Sequence, residues 1–343
     1  MNVLCAMSGG VDSSVAAALL LEAGHEVVGV TMKLWGGESD SGCCSVADVD
    51  DARRVAQKLG IDHLVFNFSD DFDTHVVHPY VAAHAHGLTP NPCIECNRHL
   101  KFDRLLARAD KLGFDAVATG HHCRVVHDGA GPYRLARGAD RLKDQSYVVH
   151  MLDQAALART LFPIGAMTKA EVRERAAAMG MRTAGKPDSQ DVCFITATGG
   201  RETFLGTRIP LKPGRVVDRA GNHLGTVDAI ELVTIGQRRG LNVASDGGRR
   251  FAVDVDVESG TVVLGDLDDL MVASTEVDAF TLVDGPVQGE VLVQCSAHGV
   301  PQPAYLDGTT VVWNARQRRI APGQSVVIYD PTDTYALGGG IAK

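Results

Sequence analysis

The chain has 343 residues, of which 45% are hydrophobic and 22% are charged, and its formal net charge is −9. These proportions are typical of a globular protein, and the length is sufficient for two or three domains. The negative charge argues against a protein that binds nucleic acid over its whole surface.

The sequence also bears on where the protein works. No uninterrupted apolar run is long enough to cross a bilayer, and the N-terminus lacks the basic and apolar regions of a signal peptide. Eight cysteines scattered over the chain do not form the pattern of a secreted disulfide scaffold. We therefore expect a cytoplasmic protein without membrane contact, in which grouped cysteines more often bind metal or act in catalysis.

Up to about residue 180, apolar runs alternate with helical patterns. Strands are predicted at residues 2–7, 25–35, 63–68 and 115–120, and helices at 13–24, 46–60 and 97–113. Residues 70–86 form a long stretch to which no element is assigned. Strands separated by helices predict right-handed crossovers and a parallel sheet covered on both faces.

After Gly200 the pattern changes to short valine-rich runs punctuated by glycine. These runs lie at residues 214–218, 223–227, 249–265, 289–295, 309–315 and 324–330. They predict antiparallel strands with tight turns, arranged as small barrels or sandwiches. The expected architecture is an α/β domain followed by one or two small β modules.

The first predicted strand runs through MSGGVDSS, residues 7–14, into a helix. Gly9 and Gly10 allow a tight turn whose N–H groups and helix N-terminus form an anion cradle, at the strand end where open α/β sheets bind ligands. Asp12 is a candidate to hold Mg²⁺ against phosphate oxygens. The G-K-[ST] ending of a Walker A loop is missing. The stretch resembles the pyrophosphate loop of ATP pyrophosphatases, which adenylate a substrate oxygen.

The cysteines leave several interpretations open. Cys93 and Cys96 form a C-x-x-C pair, which suits a zinc half-site, a redox pair, an iron–sulfur ligand pair, or one working thiol with an idle neighbour. Cys193 lies in the apolar stretch CFI, which favours a small buried core residue. Arg182 and Lys186 are near it in sequence, and cationic neighbours favour the reactive thiolate.

Several longer strings occur in order behind SGGVDS: TPNPCIECNRHLKF, ATGHH, LKDQSYVVHML, LFPIGAMTKAEVRE, GKPDSQDVCFI and TIGQRRGLN. Together they resemble the tRNA-specific 2-thiouridylases (the MnmA family), from the N-terminus to LGGGI near the C-terminus. The resemblance implies a parallel-sheet α/β domain of the adenine-nucleotide alpha-hydrolase type at 1–198, a small central β-rich domain at 199–270 and a C-terminal β-barrel at 271–343. It also implies ATP-dependent 2-thiolation of the wobble uridine in Lys, Glu and Gln tRNAs.

The resemblance assigns roles to individual residues. ATP would bind at Ala6, Met7, Ser8, Gly9, Gly10, Val11, Asp12 and Ser13, with Met32 and Gly120 on the adenine and ribose side. The target base would meet Asn91, Pro92 and Cys93, and the tRNA would contact His121, Lys143, Asp144, Gln145 and Gln324. Cys96 matches the nucleophile. Cys193 matches the residue that receives persulfide sulfur from a relay protein or cysteine desulfurase, with a Cys96–Cys193 disulfide as one product.

This chain departs from the family pattern at two places. Many members have Asp where Cys93 stands, so Cys93, Cys96 and Cys193 are also candidate ligands of a 4Fe-4S cluster. We favour the persulfide route, because it needs only Cys96 and Cys193. A C-terminal QCSAHGV replaces the Arg-Tyr-Arg-like cluster of relatives, which weakens the case for tRNA contact there.

Two rival functions share parts of this pattern. A small-molecule ATP pyrophosphatase that amidates or ligates would need SGGVDS but not TPNPCIEC or the β modules. A non-enzymatic RNA-binding or redox module would need no nucleotide loop.

Overall fold

A computed structural model describes residues 1–34, 46–188, 192–196, 198–243 and 249–343. Its N-terminal part contains a five-stranded, wholly parallel sheet with the strand order β3-β2-β1-β4-β7. The strands are β1 (Asn2–Ala6), β2 (Glu26–Lys33), β3 (His63–Asn67), β4 (Ala116–Ala118) and β7 (Thr160–Leu161). This confirms the predicted parallel sheet. Cys43 and Cys44, which are adjacent in the sequence, lie outside the described residues.

Helices lie between the strands of this sheet and follow its last strand. They are α1 (Val11–Glu22), α2 (Val46–Leu59), α3 (Ser69–Phe72), α4 (His78–Ala85), α5 (Pro92–Glu95), α6 (Leu105–Leu112), α7 (Gln154–Ala158), α8 (Lys169–Ala178), α9 (Cys193–Thr196) and α10 (Arg201–Gly206). Two π-helical segments, Asp73–Val77 and Cys96–Arg104, join α3 to α4 and α5 to α6. The stretch 70–86, left unassigned from sequence, is therefore almost entirely helical.

The alanine-rich helix α1 brings the nucleotide loop close to the sheet. Ala16, Ala17 and Ala18 are buried, and their small side chains pack in one core with Val3 and Cys5 of β1. Strand β4 pairs directly with β1, so the carboxyl ends of both strands lie side by side. The segments that follow them, SGGVDS and TGHH, are thereby placed together.

The central part is built on a four-stranded sheet with the order β10-β11-β8-β9. Its strands are β8 (Gly214–Asp218), β9 (His223–Val227), β10 (Phe251–Asp256) and β11 (Thr261–Gly265). The β8–β9 and β10–β11 pairs are antiparallel, as predicted, but β8 and β11 run parallel. The expectation of a purely antiparallel module was therefore wrong at this pair, because a connection longer than a hairpin separates the two strands.

The C-terminal part is a closed β-barrel. Its strands are β12 (Met271–Leu282), β13 (Gly289–Gln294), β14 (Gln302–Asp307), β15 (Thr310–Arg318), β16 (Ser325–Tyr329) and β17 (Tyr335–Ala342). Pairing of β12 with both β15 and β17 closes the ring. A hairpin from the first half of the chain, β5 (Cys123–Val126) and β6 (Arg134–Arg137), extends the barrel sheet through β17.

No helix within the described parts of the chain is both long enough and apolar enough to span a bilayer.

Candidate active site

The SGGVDS loop leaves β1 and turns directly into α1. The Met7 N–H donates to the Val30 carbonyl at 2.8 Å, which keeps the start of the loop on the sheet. Gly10 precedes α1 in an extended conformation, and no side chain in the described structure caps the helix there. The N–H groups of the first turn are therefore available to an anion, and the helix dipole favours negative charge at this point.

Two glycines allow the close packing around this loop. Gly9 has a φ of +71°, and a Cβ at this position would collide with the backbone carbonyl of Asp48 in α2. A Cβ on Gly120 would lie 2.6 Å from the Ser13 nitrogen and 2.8 Å from the Asp12 carbonyl carbon. The ATGHH motif thus contributes a glycine that allows the end of β4 to pack against the first turn of α1.

Lys169 and His122 hold the Asp12 carboxylate. The Lys169 ammonium donates to both Asp12 oxygens, at 2.6 and 2.8 Å, and Nε2 of His122 lies 3.2 Å from Oδ1. Burial acts to raise the pKa of Asp12, but the hydrogen bonds from His122 and Lys169 outweigh it and leave the pKa below its ordinary value. Asp12 is therefore ionised and both of its oxygens already accept from Lys169, so it does not offer a free carboxylate to Mg²⁺.

A capping box sets the position of Lys169. Thr168 precedes α8, its hydroxyl accepts from the Glu171 N–H, and the Glu171 carboxylate accepts from the Thr168 N–H at 2.6 Å. This reciprocal pair fixes where the helix begins. Lys169 is consequently the first residue of α8, and its side chain is only 12% exposed.

Asp188 connects the loop region to two other motifs. Its carboxylate accepts from Lys143 at 2.8 Å, from Lys169 at 2.9 Å and from Arg173 at 2.7 Å. Burial opposes ionisation, but the hydrogen bonds from Lys143 and Lys169 lower the pKa of Asp188 to about 2. LKDQSY, MTKAEVRE and GKPDSQ therefore share one ionic network with SGGVDS.

Lys186 stabilises the loop from the other side. Its ammonium donates to the Gly9 carbonyl at 3.0 Å, to Asp48 at 2.7 Å and to Asp51 at 2.9 Å. Burial opposes the charge, yet the bonds to Asp48 and Asp51 raise the pKa of Lys186. Lys186, one of the two cations that lie near Cys193 in the sequence, is thus bound at the loop.

The TPNPCIEC segment forms a short, proline-started helix. The Asn91 side chain accepts from the Cys93 N–H at 3.1 Å and caps α5, in which Pro92 is the first residue and is buried. Cys93 is exposed, whereas Cys96 lies one turn later, half-buried, at the start of the π-helical segment. Asn91 and Pro92 therefore fix the backbone that presents both thiols.

Cys193 reaches the same region through aromatic packing. It begins α9, whose Phe194 is buried with ring centroids 5.5 Å from Phe72, 5.7 Å from Tyr80 and 5.0 Å from Phe204. Cys96 and Cys193 both pack against this cluster, which we call the aromatic cluster. Phe194 thereby anchors the helix that carries the Cys193 thiol.

The three thiols interact electrostatically. Burial raises the pKa of Cys96 to about 12; the charge of Lys101 opposes this rise, and the thiols of Cys193 and Cys93 add to it. Cys96 is therefore a neutral thiol at neutral pH. Across the described residues, no group of three His, Cys, Asp or Glu side chains is arranged to hold a metal ion.

The residues expected to contact tRNA lie in different environments. His121 is 7% exposed, and its Nδ1 lies 2.7 Å from the Thr119 hydroxyl. The Asp144 side chain is 4% exposed and accepts from Arg137 at 2.8 Å. The Gln145 side chain accepts from the His122 N–H at 2.9 Å. The Lys143 side chain is 42% exposed and donates to Asp188.

Gln324 lies in the barrel turn that contacts Thr89, the first residue of TPNPCIEC. Its side-chain amide donates to the Thr89 carbonyl at 2.6 Å, and the Thr89 N–H donates to Pro322 at 2.8 Å. Gly323 packs against Leu88 and Thr89 with a φ of +92°. This barrel turn therefore supports the segment that leads into TPNPCIEC. Met32 lies at the carboxyl end of β2, opposite Phe66 of β3.

Sequence reasoning missed the ionic residues that shape the loop. These residues are His122, Lys169, Arg173, Lys186 and Asp188. All of them fall inside the strings that were recognised, so their positions were visible. Nothing in their spacing indicated which charges would pair, because the partners are brought together only by the crossovers of the sheet.

Family models match successive parts of the chain. Residues 1–197 match one described as "tRNA methyl transferase HUP domain", residues 202–266 match "tRNA methyl transferase PRC-barrel domain" and residues 285–342 match "Aminomethyltransferase beta-barrel domain". Similar proteins named "tRNA-specific 2-thiouridylase MnmA" match nearly the whole chain. One from Chloroflexus aurantiacus is 47% identical, covering 99% of this chain and 97% of its own length. One from Mycolicibacterium gilvum is 45% identical, covering 100% and 99%.

Solved structures match a part of the chain more distantly. A 4-thiouridine synthetase–RNA complex with bound ATP is 20% identical, with a TM-score of 0.39 and coverage of 59% of this chain and 46% of that chain. The U34-tRNA thiolase NcsA from Methanococcus maripaludis, with its [4Fe-4S] cluster, is 17% identical, with a TM-score of 0.38 and coverage of 56% and 61%.

Proposed function

The chain belongs to the MnmA family of tRNA-specific 2-thiouridylases, enzymes that thiolate tRNA, and on that premise we propose how its residues divide the reaction. The target is the wobble uridine of Lys, Glu and Gln tRNAs. ATP adenylates the uridine O2, and sulfur carried as a persulfide on Cys193 then replaces that oxygen. The observation that carries this division is that Cys96 and Cys193, distant in sequence, share the aromatic cluster and interact electrostatically.

The adenylation step uses the loop side of the site. The residues proposed to bind ATP are Ala6, Met7, Ser8, Gly9, Gly10, Val11, Asp12, Ser13, Met32 and Gly120. The uncapped first turn of α1 would bind phosphate oxygens, and Lys169 and Lys186 would supply positive charge as pyrophosphate departs. The domain bounds 1–198, 199–270 and 271–343 belong to the same proposal and place this step wholly in the first domain.

The proposed steps use neither Mg²⁺ bound at Asp12 nor a 4Fe-4S cluster on the three cysteines. Both Asp12 oxygens accept hydrogen bonds from Lys169, so Mg²⁺ would have to enter on the phosphates of ATP rather than on this carboxylate. No step passes through a 4Fe-4S cluster, because the persulfide route needs only the thiols of Cys96 and Cys193. A fully active preparation that contains no iron would agree with the persulfide route; strict dependence on iron would contradict it.

The sulfur step needs only the two thiols. The terminal sulfur of the Cys193 persulfide attacks C2 of the adenylated uridine, and the C2–O2 bond breaks as AMP leaves. The Cys96 thiolate then attacks the inner Cys193 sulfur, which breaks the S–S bond, leaves the outer sulfur on C2 and forms a Cys96–Cys193 disulfide. An external dithiol reduces this disulfide before a sulfur-relay protein or cysteine desulfurase reloads Cys193.

The tRNA is proposed to approach across the face that joins these regions. Asn91, Pro92 and Cys93 would receive the flipped base, because chemistry on a base requires it to leave the stack. His121, Lys143, Asp144, Gln145 and Gln324 would lie along the bound RNA. The Lys143 side chain is 42% exposed and would contact a phosphate while it stays paired with Asp188, whereas Asp144 and Gln324 would act by positioning their segments.

The test separates adenylation from sulfur transfer. In Cys193→Ser, tRNA-dependent release of pyrophosphate from ATP should persist, while nucleoside mass spectrometry should detect no 2-thiouridine. Thiolation by this variant at the wild-type rate with a persulfide donor would overturn the assignment. Release of pyrophosphate that depends on a small amine or acid instead of tRNA would favour the small-molecule ligase.

A further inference from the structure

A cavity of about 380 Å³ lies between the helix that carries the thiols and the C-terminal barrel. From the helix side it is lined by Ile94, Glu95 and Arg98, and from the barrel by Phe280 and Thr281. Its volume lies in the range of small-ligand sites. Glu95 immediately precedes Cys96 and belongs to α5, the helix proposed to meet the target base. The cavity therefore adjoins the reaction site without being part of it.

His150 supplies a fixed acceptor to this cavity. The residue is 2% exposed, and its Nδ1 donates to the Tyr147 carbonyl at 2.8 Å, which leaves Nε2 as the acceptor nitrogen. In the described structure Nε2 has no hydrogen-bond partner. A Cβ on Gly339 would lie 2.7 Å from the imidazole Cδ2, so this glycine makes room for the ring. Burial lowers the pKa of His150 to about 4, so the ring is neutral at physiological pH.

Arg98 supplies donors next to this acceptor. Its side chain is 28% exposed, and its Nε lies 3.6 Å from the Glu95 carboxylate. Apart from this ion pair, the guanidinium makes no hydrogen bond to any described residue, so the N–H groups on its two terminal nitrogens remain available. A guanidinium fork that is held in place by a neighbouring carboxylate is suited to the carbonyl oxygens of a ligand.

The barrel wall offers an aromatic surface. The register of β12 against β17 shifts between Asp278 and Thr281, which leaves Ala279 and Phe280 out of the strand pairing. Ala279 has a φ of +50°, an uncommon backbone conformation for a residue with a side chain. Such bulges redirect side chains beside functional sites. Here the bulge brings Phe280 to the cavity, and protein aromatic rings commonly stack on unpaired RNA bases.

We propose that this cavity reads a second uracil, the middle nucleotide of the anticodon, by placing its base between Phe280 and the polar pair Arg98 and His150. Uracil presents an N3–H donor between two carbonyl acceptors, which matches an acceptor nitrogen beside a guanidinium. Cytosine presents an acceptor N3 and an amino group. Its N3 would therefore face the Nε2 of His150, and both of these nitrogens are acceptors.

This inference rests on the proposed target and adds a reason for it. The codons for Lys, Glu and Gln share adenine in the second place, so their tRNAs share uridine in the middle of the anticodon. A pocket for that base would accept all three tRNAs and reject others that have a wobble uridine. Discrimination would arise because a mismatched base leaves His150 Nε2 buried and unpaired.

The experiment compares single-turnover 2-thiolation of a Glu tRNA transcript with that of the same transcript carrying cytidine at the middle anticodon position. Wild type should prefer uridine by roughly 5- to 150-fold, the range that one pair of hydrogen bonds to a base edge supplies. Arg98→Ala and His150→Gln should each reduce this ratio to about threefold or less. Arg104→Ala is the matched control, since Arg104 lies in the same helical segment but pairs with Asp71, and it should keep the ratio.

Equal thiolation of both transcripts by wild type, or variants that slow both transcripts in the same proportion, would overturn the base-reading role. Loss of thiolation by wild type on every tRNA would instead count against the proposed function. Because His150 is buried, folding of the His150→Gln variant is checked by thermal melting and by its pyrophosphate release. Arg98→Ala lies at the surface and tests the idea even if His150→Gln does not fold.

Discussion

The two halves of the active site are built from opposite kinds of interaction. The loop side is ionic: Lys169 bridges Asp12 and Asp188 at 2.6 and 2.9 Å, and Lys186 donates to the Gly9 carbonyl at 3.0 Å. The thiol side is apolar, and burial there keeps Cys96 neutral. An ionic frame suits the charged phosphates of ATP, whereas an apolar frame excludes water from a reactive persulfide. On the mechanism we propose, the chain therefore separates adenylation from sulfur transfer by local environment.

The largest expected effect tests whether the loop side is sterically fixed. In Gly120→Ala the new Cβ would lie 2.6 Å from the Ser13 nitrogen and would force the first turn of α1 away from β4. We expect tRNA-dependent pyrophosphate release to fall at least about 100-fold, because misplacement near 1 Å has that cost. Persulfide loading of Cys193, measured by mass spectrometry, should be unchanged.

The matched control for this variant is Gly185→Ala, since a Cβ there would contact nothing within 4 Å. Its adenylation should remain at the wild-type level. Equal losses in both variants would show that the effect is not due to packing against α1.

The second prediction tests the charges of the loop side. In Lys169→Met, Asp12 loses its closest cation, and Asp188 loses one of its three. We expect pyrophosphate release to fall by roughly 10- to 100-fold, as when one charge-assisted contact of about 1.5–3 kcal/mol is removed. Steady-state kinetics with ATP and tRNA measure this rate of pyrophosphate release. Lys111→Met on α6 should be silent, and a comparable loss there would point to a general charge effect.

The same contrast explains which features the sequence could predict. The strands and the glycine loop were predicted because alternation and Gly-Gly turns are local patterns. Residues 70–86 were left unassigned because the stretch contains Pro79 and a π-helical turn, which break the expected period. The pairing of Lys169 with Asp12 joins α8 to α1, and the pairing of β6 with β17 joins the first half of the chain to the barrel. Such contacts depend on chain crossovers, which no local pattern records.

The third prediction tests the apolar character of the thiol side. In Phe194→Ala the aromatic cluster loses the ring that anchors α9, at a stability cost of about 3–5 kcal/mol. We expect 2-thiouridine formation to fall roughly 10-fold relative to pyrophosphate release at a temperature where the variant is folded. Circular dichroism establishes that temperature. Parallel loss of both activities would show that the two sides are not separable in this way.

The smallest expected effect concerns Lys101, whose charge acts on the Cys96 thiol. Burial raises the pKa of Cys96 to about 12 and Lys101 opposes it, so Lys101→Met should raise that pKa further. Only the thiolate can attack the persulfide, so sulfur transfer in wild type should accelerate with pH through the neutral range, up to about tenfold per unit. The variant should be about three- to tenfold slower at any one pH and should show the same slope. Rapid-quench single turnovers of pre-adenylated tRNA measure this step. A rate independent of pH would mean that Cys96 does not attack as the thiolate in the limiting step, and the neutral environment of the thiol side would then serve a different function.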